Sequence, residues 1–448
     1  MRRLFLILLI LAPTNIYAQH ESALHADFRQ ERKRFKKSCP KFSFKAVPGC
    51  LEFLVTDHPL HFTGGSIAPQ NGFGAGLAFA FQKNYGETLR TSWDADAVAS
   101  PNGSWRAGFY FKGVPVSSSQ TTTRVFPIFN AYVQAISLNK LTFFGLGPSS
   151  SLSGRSFYGM TQTIPGGNAI LPIYNRIGLS LYGEMNGRFV SIRGDRGESS
   201  PSIEQLYTAA TAPGLQNQPG FLQFGEGARL RHPFYTDHVQ LDYLVTFQQF
   251  LAPGNSVYSF RRFTVDLSHQ FPIYGQSPVP VGSSQGPNEC TENLQDDCPK
   301  MEFTRDFAGS FGIRLLISES IAPAGHIVPF YFQPTLGGSD INGSASLASF
   351  QDYRFRAPNV LLLRGSFEHS IYGPLGFSFI VDEGKVALTR GDVGFSTLAH
   401  SFSTGLTLRA GGFPQVYLLF SWGGKEGTHT IANVNTSLLG GSGRPSLY

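Results

Sequence analysis

The chain has 448 residues, of which only 15% are charged, and it carries a formal net charge of +6. Glycine, with 50 residues, and phenylalanine, with 40, are both abundant. Soluble globular domains are nearer a quarter charged, so this composition favours an extended β architecture or a membrane protein. The apolar content excludes a largely disordered chain.

The first 18 residues, MRRLFLILLILAPTNIYA, are typical of a bacterial secretory signal. Two arginines precede an apolar segment from Leu4 to Ala12, and Ile16 and Ala18 have the positions expected before a cleavage site. An apolar segment of about ten residues is too short to cross a bilayer as a helix. We therefore expect residues 1–18 to be removed on export, rather than to remain as an anchor.

Residues 19–61 form a short polar and basic leader that we expect to lie in the periplasm. The leader contains the run RQERKRFKK at residues 29–37. In an exported chain, such a run favours a solvated segment or a contact with anionic lipid headgroups over nucleic-acid binding. The leader is too short for a typical domain of its own.

The four cysteines occur as two closely spaced pairs, Cys39 with Cys50 and Cys290 with Cys298. Their even number and short separations predict two local disulfides in an oxidising compartment, although the connectivity stays open. The sequence contains no C-x-x-C spacing. We therefore expect neither a zinc site nor another metal or cofactor site.

From about residue 66 the sequence consists of segments of about ten residues in which apolar and polar side chains alternate. The clearest are GFGAGLAFAFQ, WRAGFYFKG, FGIRLLIS, NVLLLRGSFEHS and QVYLLFSWG, and a last strand is predicted at residues 429–440. Alternation at period two predicts strands with two different faces. Single arginines on the second face do not suit a dry core, whereas a water-filled lumen accepts them. Arg364 and Glu368 are accordingly predicted to line a lumen.

These segments predict an all-β fold, a transmembrane antiparallel β-barrel over residues 62–448. No segment has the roughly 18 consecutive apolar residues of a membrane-spanning helix. At about 24 residues per strand and connection, the barrel has about 16 strands. Polar insertions are predicted near residues 147–155, 196–220 and 276–300. A soluble sandwich or propeller is the alternative, but no repeat of blade length is visible.

Several short motifs follow one another in residues 336–386. They are the turn Leu336, Gly337, Gly338 and Ser339, the cluster Asp352, Tyr353, Arg354, Phe355 and Arg356, and the strand Val381, Asp382, Glu383 and Gly384. In this order they resemble the barrel domain of the outer-membrane protein assembly factors, the BamA/TamA-type or bacterial surface antigen superfamily. FFGLGPSS at 143–150 and SFSTGLTLR at 401–409 also resemble stretches of these barrels.

The resemblance implies a loop that folds into the lumen. In the family an arginine of a Leu-Arg-Gly-Tyr motif pairs with the Asp-x-Gly strand. Here LASF occupies residues 347–350, so Arg354 and Arg356 are the substitute cations for Asp382. The expected loop anchor is Arg354, Phe355, Arg356, Asp382, Glu383 and Gly384, next to the turn Gly337, Gly338 and Ser339. The alternative is that these side chains only line a polar lumen.

The resemblance also implies a function without catalysis, which is assistance to protein insertion or translocation at the bacterial outer membrane. Its partners would be outer-membrane lipid and client outer-membrane or secreted proteins. Typical members carry periplasmic client-binding domains, and residues 19–60 are too few for one. We therefore expect a short member without them.

Two other functions stay open at the level of sequence. One is a passive pore or small-solute channel whose lumenal charges set its selectivity. The other is a lipid-modifying barrel enzyme. The sequence does not place His58, His61, His369 or His400 beside a serine. We therefore expect that the protein is not an enzyme.

Overall fold

The computed structural model describes residues 60–86, 88–115, 126–194, 201–234, 238–281, 300–410, 413–434 and 444–448. The chain divides into two compact units, Met1–His61 and Phe62–Tyr448. The predicted signal, nearly all of the leader and all four cysteines lie outside the described residues. The cleavage site and the two disulfides therefore stay predictions.

The described residues form an almost entirely β structure with strands β1 to β18. Sixteen of them make one antiparallel sheet in which strands that follow one another in the chain are neighbours, as predicted. In chain order the strands are β1 (Leu60–Ser66), β2 (Phe73–Tyr85), β3 (Leu89–Ala99), β4 (Trp105–Pro115), β5 (Ile128–Phe143), β6 (Ser156–Tyr174), β7 (Leu179–Gly194), β8 (Phe221–Phe234), β9 (Val239–Leu251), β10 (Phe260–Val281), β11 (Lys300–Ile321), β12 (Thr335–Leu336), β13 (Phe355–Arg356), β14 (Asn359–Tyr372), β15 (Leu375–Ala387), β16 (Ala399–Ala410), β17 (Phe413–Gly424) and β18 (Gly427–Val434). The two-residue strands β12 and β13 pair with each other. A short helix, α1 (Ile203–Leu206), precedes β8.

The two faces of the sheet differ in polarity, as the alternating sequence predicts. In β4, Trp105 and Phe109 are 40% and 48% exposed, whereas Tyr110 is buried and Arg106 pairs with Asp96 of β3. The same alternation recurs in most strands and leaves large apolar side chains exposed on the outer face. Examples are Leu77, Val133, Leu181, Phe224, Phe311, Ile313, Leu418 and Phe420.

An apolar surface of this extent is rare in soluble proteins and typical of strands that contact lipid. The outer face of the sheet therefore suits the hydrocarbon layer of a membrane. Among the described residues, no helix has the length and apolar character needed to cross a bilayer.

The sheet curves around part of the connection between β11 and β14. Arg354 binds Glu426, in the turn between β17 and β18, and Arg356, two residues later, donates to the Tyr158 hydroxyl of β6. In a flat sheet, β6 and β17 would lie about 43 Å apart, at roughly 4.8 Å per strand. Neighbouring side chains can reach both only if the sheet encloses them. No backbone pairing joins β1 to β18 among the described residues.

Among the described residues, the connections 144–155, 322–358 and 388–398 share one end of the sheet, because successive strands run in opposite directions. The short turns 175–178 and 373–374 share the other end. This arrangement is typical of outer-membrane barrels, in which one side has short turns.

The connection between β10 and β11 differs from its predicted bounds. The predicted insertion at 276–300 is shorter, since Ser277 to Val281 pair with residues 300–304 as strand. Pairing of β10 with β9 ends at Gln270, so Pro278 and Pro280 lie on an edge of the sheet. Proline is tolerated on such an edge because no ladder hydrogen bond needs its missing N–H.

Candidate functional site

A segment of the β11–β14 connection, residues 328–357, crosses the interior of the sheet, and we call it the plug. Its Phe330, Tyr331 and Phe332 are at most 3% exposed. Their rings pack against aromatic residues of five wall strands, which are Phe143, Tyr158, Phe221, Phe250 and Phe260. Edge-to-face pairs of this kind add to the free energy of apolar burial. This part of the interior is therefore a packed aromatic core.

The plug also covers an apolar patch on the inner face of β14 and β15. Leu336, Leu347 and Phe350 pack there against wall residues that include Val360, Leu362 and Val386. Val360 and Leu362 share the inner face with Arg364, where the strand pattern alone predicts polar residues. They are apolar because the plug, rather than water, lies against them.

Asp382 of β15 holds the centre of the plug against the wall. The side chain is 1% exposed, and it accepts hydrogen bonds from Arg364 Nε at 2.6 Å and Arg364 Nη2 at 2.9 Å. The backbone N–H of Leu347 donates to its Oδ2 at 2.8 Å. Arg364 also donates to the carbonyl of Ala345. One buried ion pair thus binds the plug through two backbone groups, and we call this arrangement the latch.

The cation of the latch differs from the one expected. The resemblance suggested Arg354 or Arg356, but Arg364 lies directly opposite Asp382 in the β14–β15 register. Arg364 therefore forms the bidentate pair, which is the strongest geometry for an arginine and a carboxylate. The arginine comes from the wall of the sheet and not from the loop.

Arg354 and Arg356 bind other parts of the structure. Arg354 is 5% exposed, pairs with Glu426, and donates to the hydroxyl and the carbonyl of Ser150 at 2.8 and 2.7 Å. Arg356, also 5% exposed, donates to the Phe330 carbonyl at 2.8 Å. Both arginines attach the end of the plug, but neither meets Asp382 in the described hydrogen bonds and ion pairs.

The glycine turn and the Arg-Phe-Arg cluster lie together, as their order in the resemblance suggests. Ser339 N–H donates to Asp352 Oδ1 at 2.8 Å. Gly337 and Gly338 have φ of +96° and +60°, and a Cβ on Gly338 would lie 2.5 Å from the Asp352 nitrogen. Only glycine fits this turn without strain.

The other predicted site residues have separate surroundings. Phe355 packs on Phe350 with ring centroids 5.1 Å apart. Gly384 faces inward, where a Cβ would lie 3.0 Å from Leu336 Cδ1. Glu383 is exposed, and its place between the inward-facing Asp382 and Gly384 puts it on the outer face. Glu383 therefore has no contact with the plug in the described part of the chain.

Two residues of the plug have strained backbone conformations. Leu347 and Tyr353 have φ of +46° and +61°, in the left-handed region that bulky side chains avoid. Each costs on the order of 1–3 kcal/mol and persists only where its surroundings hold it. Leu347 is held by the latch, and the Tyr353 hydroxyl donates to the Pro69 carbonyl at 3.0 Å.

The interior also contains a second chain segment, Arg444–Tyr448, which sequence reasoning missed. The Tyr448 hydroxyl donates to Asp340 in the plug, and Arg444 forms an ion pair with Asp96 of β3 at 2.7 Å. The segment carries no strand alternation, so its sequence gives no signal for this position. Glu426 and Ser150 were missed for the same reason.

A cavity of about 600 Å³ lies on the inner face of β8 to β11. Its lining includes two ion pairs, Arg229 with Asp242 at 2.6 Å and Arg314 with Asp266 at 2.7 Å. These side chains are a quarter to two fifths exposed, so water screens them more than it screens the latch. Within the described ranges, no group of three His, Cys, Asp or Glu residues could hold a metal ion.

A smaller cavity of about 370 Å³ lies between the first hairpin, the plug and the last strand. It is lined by residues that include Gln70 of the β1–β2 connection, Asp352 of the plug and His429 of β18. This cavity therefore marks the place where the two ends of the sheet approach each other.

Burial shifts the pKa of two carboxyl groups of the plug. Desolvation raises the pKa of Asp340, although Tyr448 and two backbone N–H groups donate to it. Burial likewise raises the pKa of Asp352. Both groups are therefore easier to protonate than ordinary aspartates.

Comparisons with solved structures give three similar chains. BamA from Haemophilus ducreyi lacking POTRA domains 1–3 has 12% identity and a TM-score of 0.46, over 83% of this chain and 66% of that chain. CdiB from Acinetobacter baumannii has 13% identity and a TM-score of 0.45, over 83% and 58%. CdiB from Escherichia coli has 12% identity and a TM-score of 0.47, over 82% and 59%.

The chain is similar in structure to BamA and CdiB. It spans less than two thirds of the length of each of these three chains. No family model and no curated protein matches it.

Proposed function

We propose that this protein is a plugged outer-membrane β-barrel that handles client polypeptides during insertion or translocation, without catalysing a covalent reaction. The observation that carries the proposal is the latch, in which Asp382 and Arg364 bind the plug across the interior. The latch joins the plug to the wall by hydrogen bonds that can break and re-form. A plug held in this way suits a lumen that opens only when a client is present.

A passive pore is the second candidate, and the filled interior counts against it. The plug buries Phe330 and Phe332 completely against the wall, so that part of the lumen has no room for a steady flow of solute. A general diffusion channel needs an open polar path through its whole length. The cavity of about 600 Å³ lies beside β8 to β11 and not among the aromatic rings of the plug.

The boundary between β1 and β18 is the place where we propose that a client strand is received. Strand edges carry unpaired backbone groups and act as templates for an added strand. The cavity of about 370 Å³ beside His429 supports this proposal, because it leaves space between the first hairpin and the last strand.

We place the protein in the bacterial outer membrane, with outer-membrane lipid around its wall. The exposed apolar side chains of the outer face support a lipid environment. The predicted signal at residues 1–18 supports export. The client would be an outer-membrane or secreted protein.

Single-channel conductance in planar bilayers tests the plugged state. We expect the full chain to stay closed for most of the recording, and a variant without residues 328–356 to conduct steadily, because its lumen has lost both the aromatic packing and the latch partners. If the full chain conducts as steadily as the variant, the protein is a passive pore and the proposal is wrong.

Two further assays test the role in client handling. Cells that lack the protein should lose insertion or secretion of at least one envelope protein, and the full chain should restore it. Unchanged envelope composition would contradict the proposal. Hydrolysis of phospholipid by the purified protein would favour a lipid-modifying enzyme instead.

A further inference from the structure

The segment Arg444–Tyr448, which we call the lumen segment, is bound on two sides inside the sheet. One side is the wall, formed there by β3, β4 and β7, and the other is the tip of the plug at residues 340–342. Leu447 is 6% exposed and belongs to the same apolar core as Ile341 and Phe332. The lumen segment therefore fills a built site rather than resting on a surface.

On the wall, Asp96 binds the cation of the lumen segment. Its Oδ2 accepts from Arg444 Nη2 at 2.7 Å and from Arg106 Nη2 at 3.2 Å. The Asp96 side chain is 8% exposed, and its Oδ1 is buried with no hydrogen-bond partner. This oxygen can therefore accept a further hydrogen bond from a cationic side chain.

Arg188 of β7 recognises the backbone of the lumen segment. It is 1% exposed, and its Nη1 donates to the Ser446 carbonyl at 2.8 Å. Its Nε donates to the side-chain oxygen of Gln223. A buried guanidinium loses free energy when a donor goes unpaired, so this position requires a carbonyl or a similar acceptor.

The plug supplies the matching contacts from the other side. Asn342 Oδ1 accepts from the Leu447 N–H at 2.8 Å, and Asn342 Nδ2 donates to Ser446 Oγ at 3.3 Å. Asp340 accepts from the Tyr448 hydroxyl. The site therefore pairs one carbonyl and one N–H of a peptide backbone. It also holds a cation at one end and a phenol at the other.

This combination is the chemistry of peptide recognition. Backbone hydrogen bonds give affinity for any extended chain, and pockets for a few side chains give selectivity. We propose that this part of the lumen is a peptide-binding site, that the lumen segment is its tethered occupant, and that an extended client segment with a cationic residue followed by apolar and phenolic residues replaces it. The inference rests on the proposed function, because it names the client chemistry that the lumen would accept.

The binding of a labelled peptide tests the inference directly. The probe is the peptide Arg-Pro-Ser-Leu-Tyr with a fluorescent label, and the readout is fluorescence anisotropy with the full chain in detergent. A tethered occupant competes at an effective concentration on the order of millimolar. We therefore expect a variant without residues 444–448 to bind the probe at least about tenfold more tightly than the full chain.

Matched variants locate the site. In the variant without residues 444–448, Asp96→Asn should weaken binding of the probe about tenfold, because it removes the partner of the cation. Asp242→Asn should leave binding unchanged, since Asp242 also faces the interior but pairs with Arg229 away from the lumen segment. A probe with Glu in place of Arg should bind the variant without residues 444–448 at least about tenfold more weakly than the original probe. Heat-dependent gel migration reports whether each variant has a folded wall.

Failure of the probe to bind would overturn the inference. If the variant without residues 444–448 is folded and does not bind the probe at millimolar concentration, the lumen segment is only a structural brace and the inference is wrong. A full chain with Arg444→Glu and Tyr448→Ala gives a second test, and it should bind the probe more tightly than the wild type. If envelope proteins depend on this protein for insertion but the variant without residues 444–448 does not bind the probe, only the inference is wrong. If that variant binds the probe but no envelope protein depends on the protein, only the proposed function is wrong.

Discussion

Arg364 of the wall and Arg354 and Arg356 of the plug bind different acceptors. Arg364 meets a buried carboxylate, Arg354 meets both Glu426 and a loop carbonyl, and Arg356 meets carbonyls of the plug itself. Breaking a buried ion pair by removing one partner is costly, because the remaining charge has no compensation. The latch residue Asp382 is therefore the position where a single substitution should have the largest effect.

Asp382→Asn should loosen the plug. The substitution leaves Arg364 without its anionic partner and weakens the acceptor of the Leu347 N–H, so we expect a loss of about 3 kcal/mol in the free energy of unfolding. The plug should also leave the lumen more often, which single-channel recordings would show as more frequent openings.

The matched control for this substitution is Asp242→Asn. Asp242 forms a similar bidentate pair with Arg229 on the inner face, but both side chains are about a third exposed. We expect a loss of at most about 1 kcal/mol and no new openings. Equal effects of the two substitutions would show that the latch has no special role.

The stability of the plug should depend on pH through Asp340. Because burial raises its pKa, the folded protein binds more protons than the unfolded chain between the ordinary and the raised pKa. The free energy of unfolding should therefore fall as the pH rises through this interval. Asp352 should act in the same direction, since its pKa is also raised.

Asp340→Asn should reduce this pH dependence. An asparagine Oδ1 can still accept from the N–H groups of Asn342 and Ser344, and the side chain no longer ionises. Urea unfolding at several acidic pH values measures the slope. A slope that is the same in the variant and the wild type would contradict the assignment to Asp340.

At the level of single residues, the sequence predicted which side chains face inward but not which of them meet. The alternation placed Arg364 on an inner face correctly, whereas Asp382 was placed in the lumen by the resemblance. Their pairing depends on the register of β14 and β15, which period-two patterns do not reveal. Arg188 and Ser446 could not be connected either, because no local rule links residues so far apart in the chain.

Among the elements, the plug depends on a tight double-glycine turn. Gly338 packs against the backbone of Asp352, so the turn joins the two arms of the plug next to the β12–β13 pair. Gly343 also has a positive φ, of +84°, but no atom lies within 4 Å of the position that its Cβ would occupy. Substitution of Gly343 therefore tests only the preference for a positive φ, whereas substitution of Gly338 also tests steric contact.

Gly338→Ala should destabilise the plug more than Gly343→Ala. Both substitutions cost about 1 kcal/mol for the positive φ, and only the first also forces a Cβ against the Asp352 backbone. We expect a lower unfolding midpoint and more channel openings for Gly338→Ala. Similar midpoints for the two variants would show that the turn can shift without loss.

Most strands were predictable because their outer face is apolar and their inner face is polar. The strand prediction was wrong at residues 277–281, where Pro and Ser suggest a loop but the chain continues as an edge of the sheet. The pattern also did not predict the apolar inner face at Val360 and Leu362. The inner face is apolar there because the plug packs against it, and the sequence of the plug has no strand periodicity.

At the scale of the whole molecule, we propose that the outer face of the sheet contacts hydrocarbon and that the inner face does not. Phe311 lies at the middle of β11 and is 43% exposed on the outer face. Gln270 of β10 lines the cavity of about 600 Å³. Substitution of these two neighbouring positions by the same residue compares the two environments.

Phe311→Arg should impair assembly into bilayers, whereas Gln270→Arg should be tolerated. A cation at the lipid face costs about 2–4 kcal/mol near the bilayer midplane, and a cation in a hydrated lumen remains solvated. The yield of heat-modifiable protein in liposomes measures assembly. Equal yields, or protein that stays in solution without detergent, would contradict the assignment of the two faces.

The contact between Arg188 and Ser446 joins residues 258 positions apart. A ribosome makes the wall strand long before it makes the carbonyl that this guanidinium needs. A polypeptide that threads residues 444–448 elsewhere would therefore leave this buried cation without its carbonyl acceptor. Arg188 thus gains its partner only after residue 446 has been made and has entered the interior.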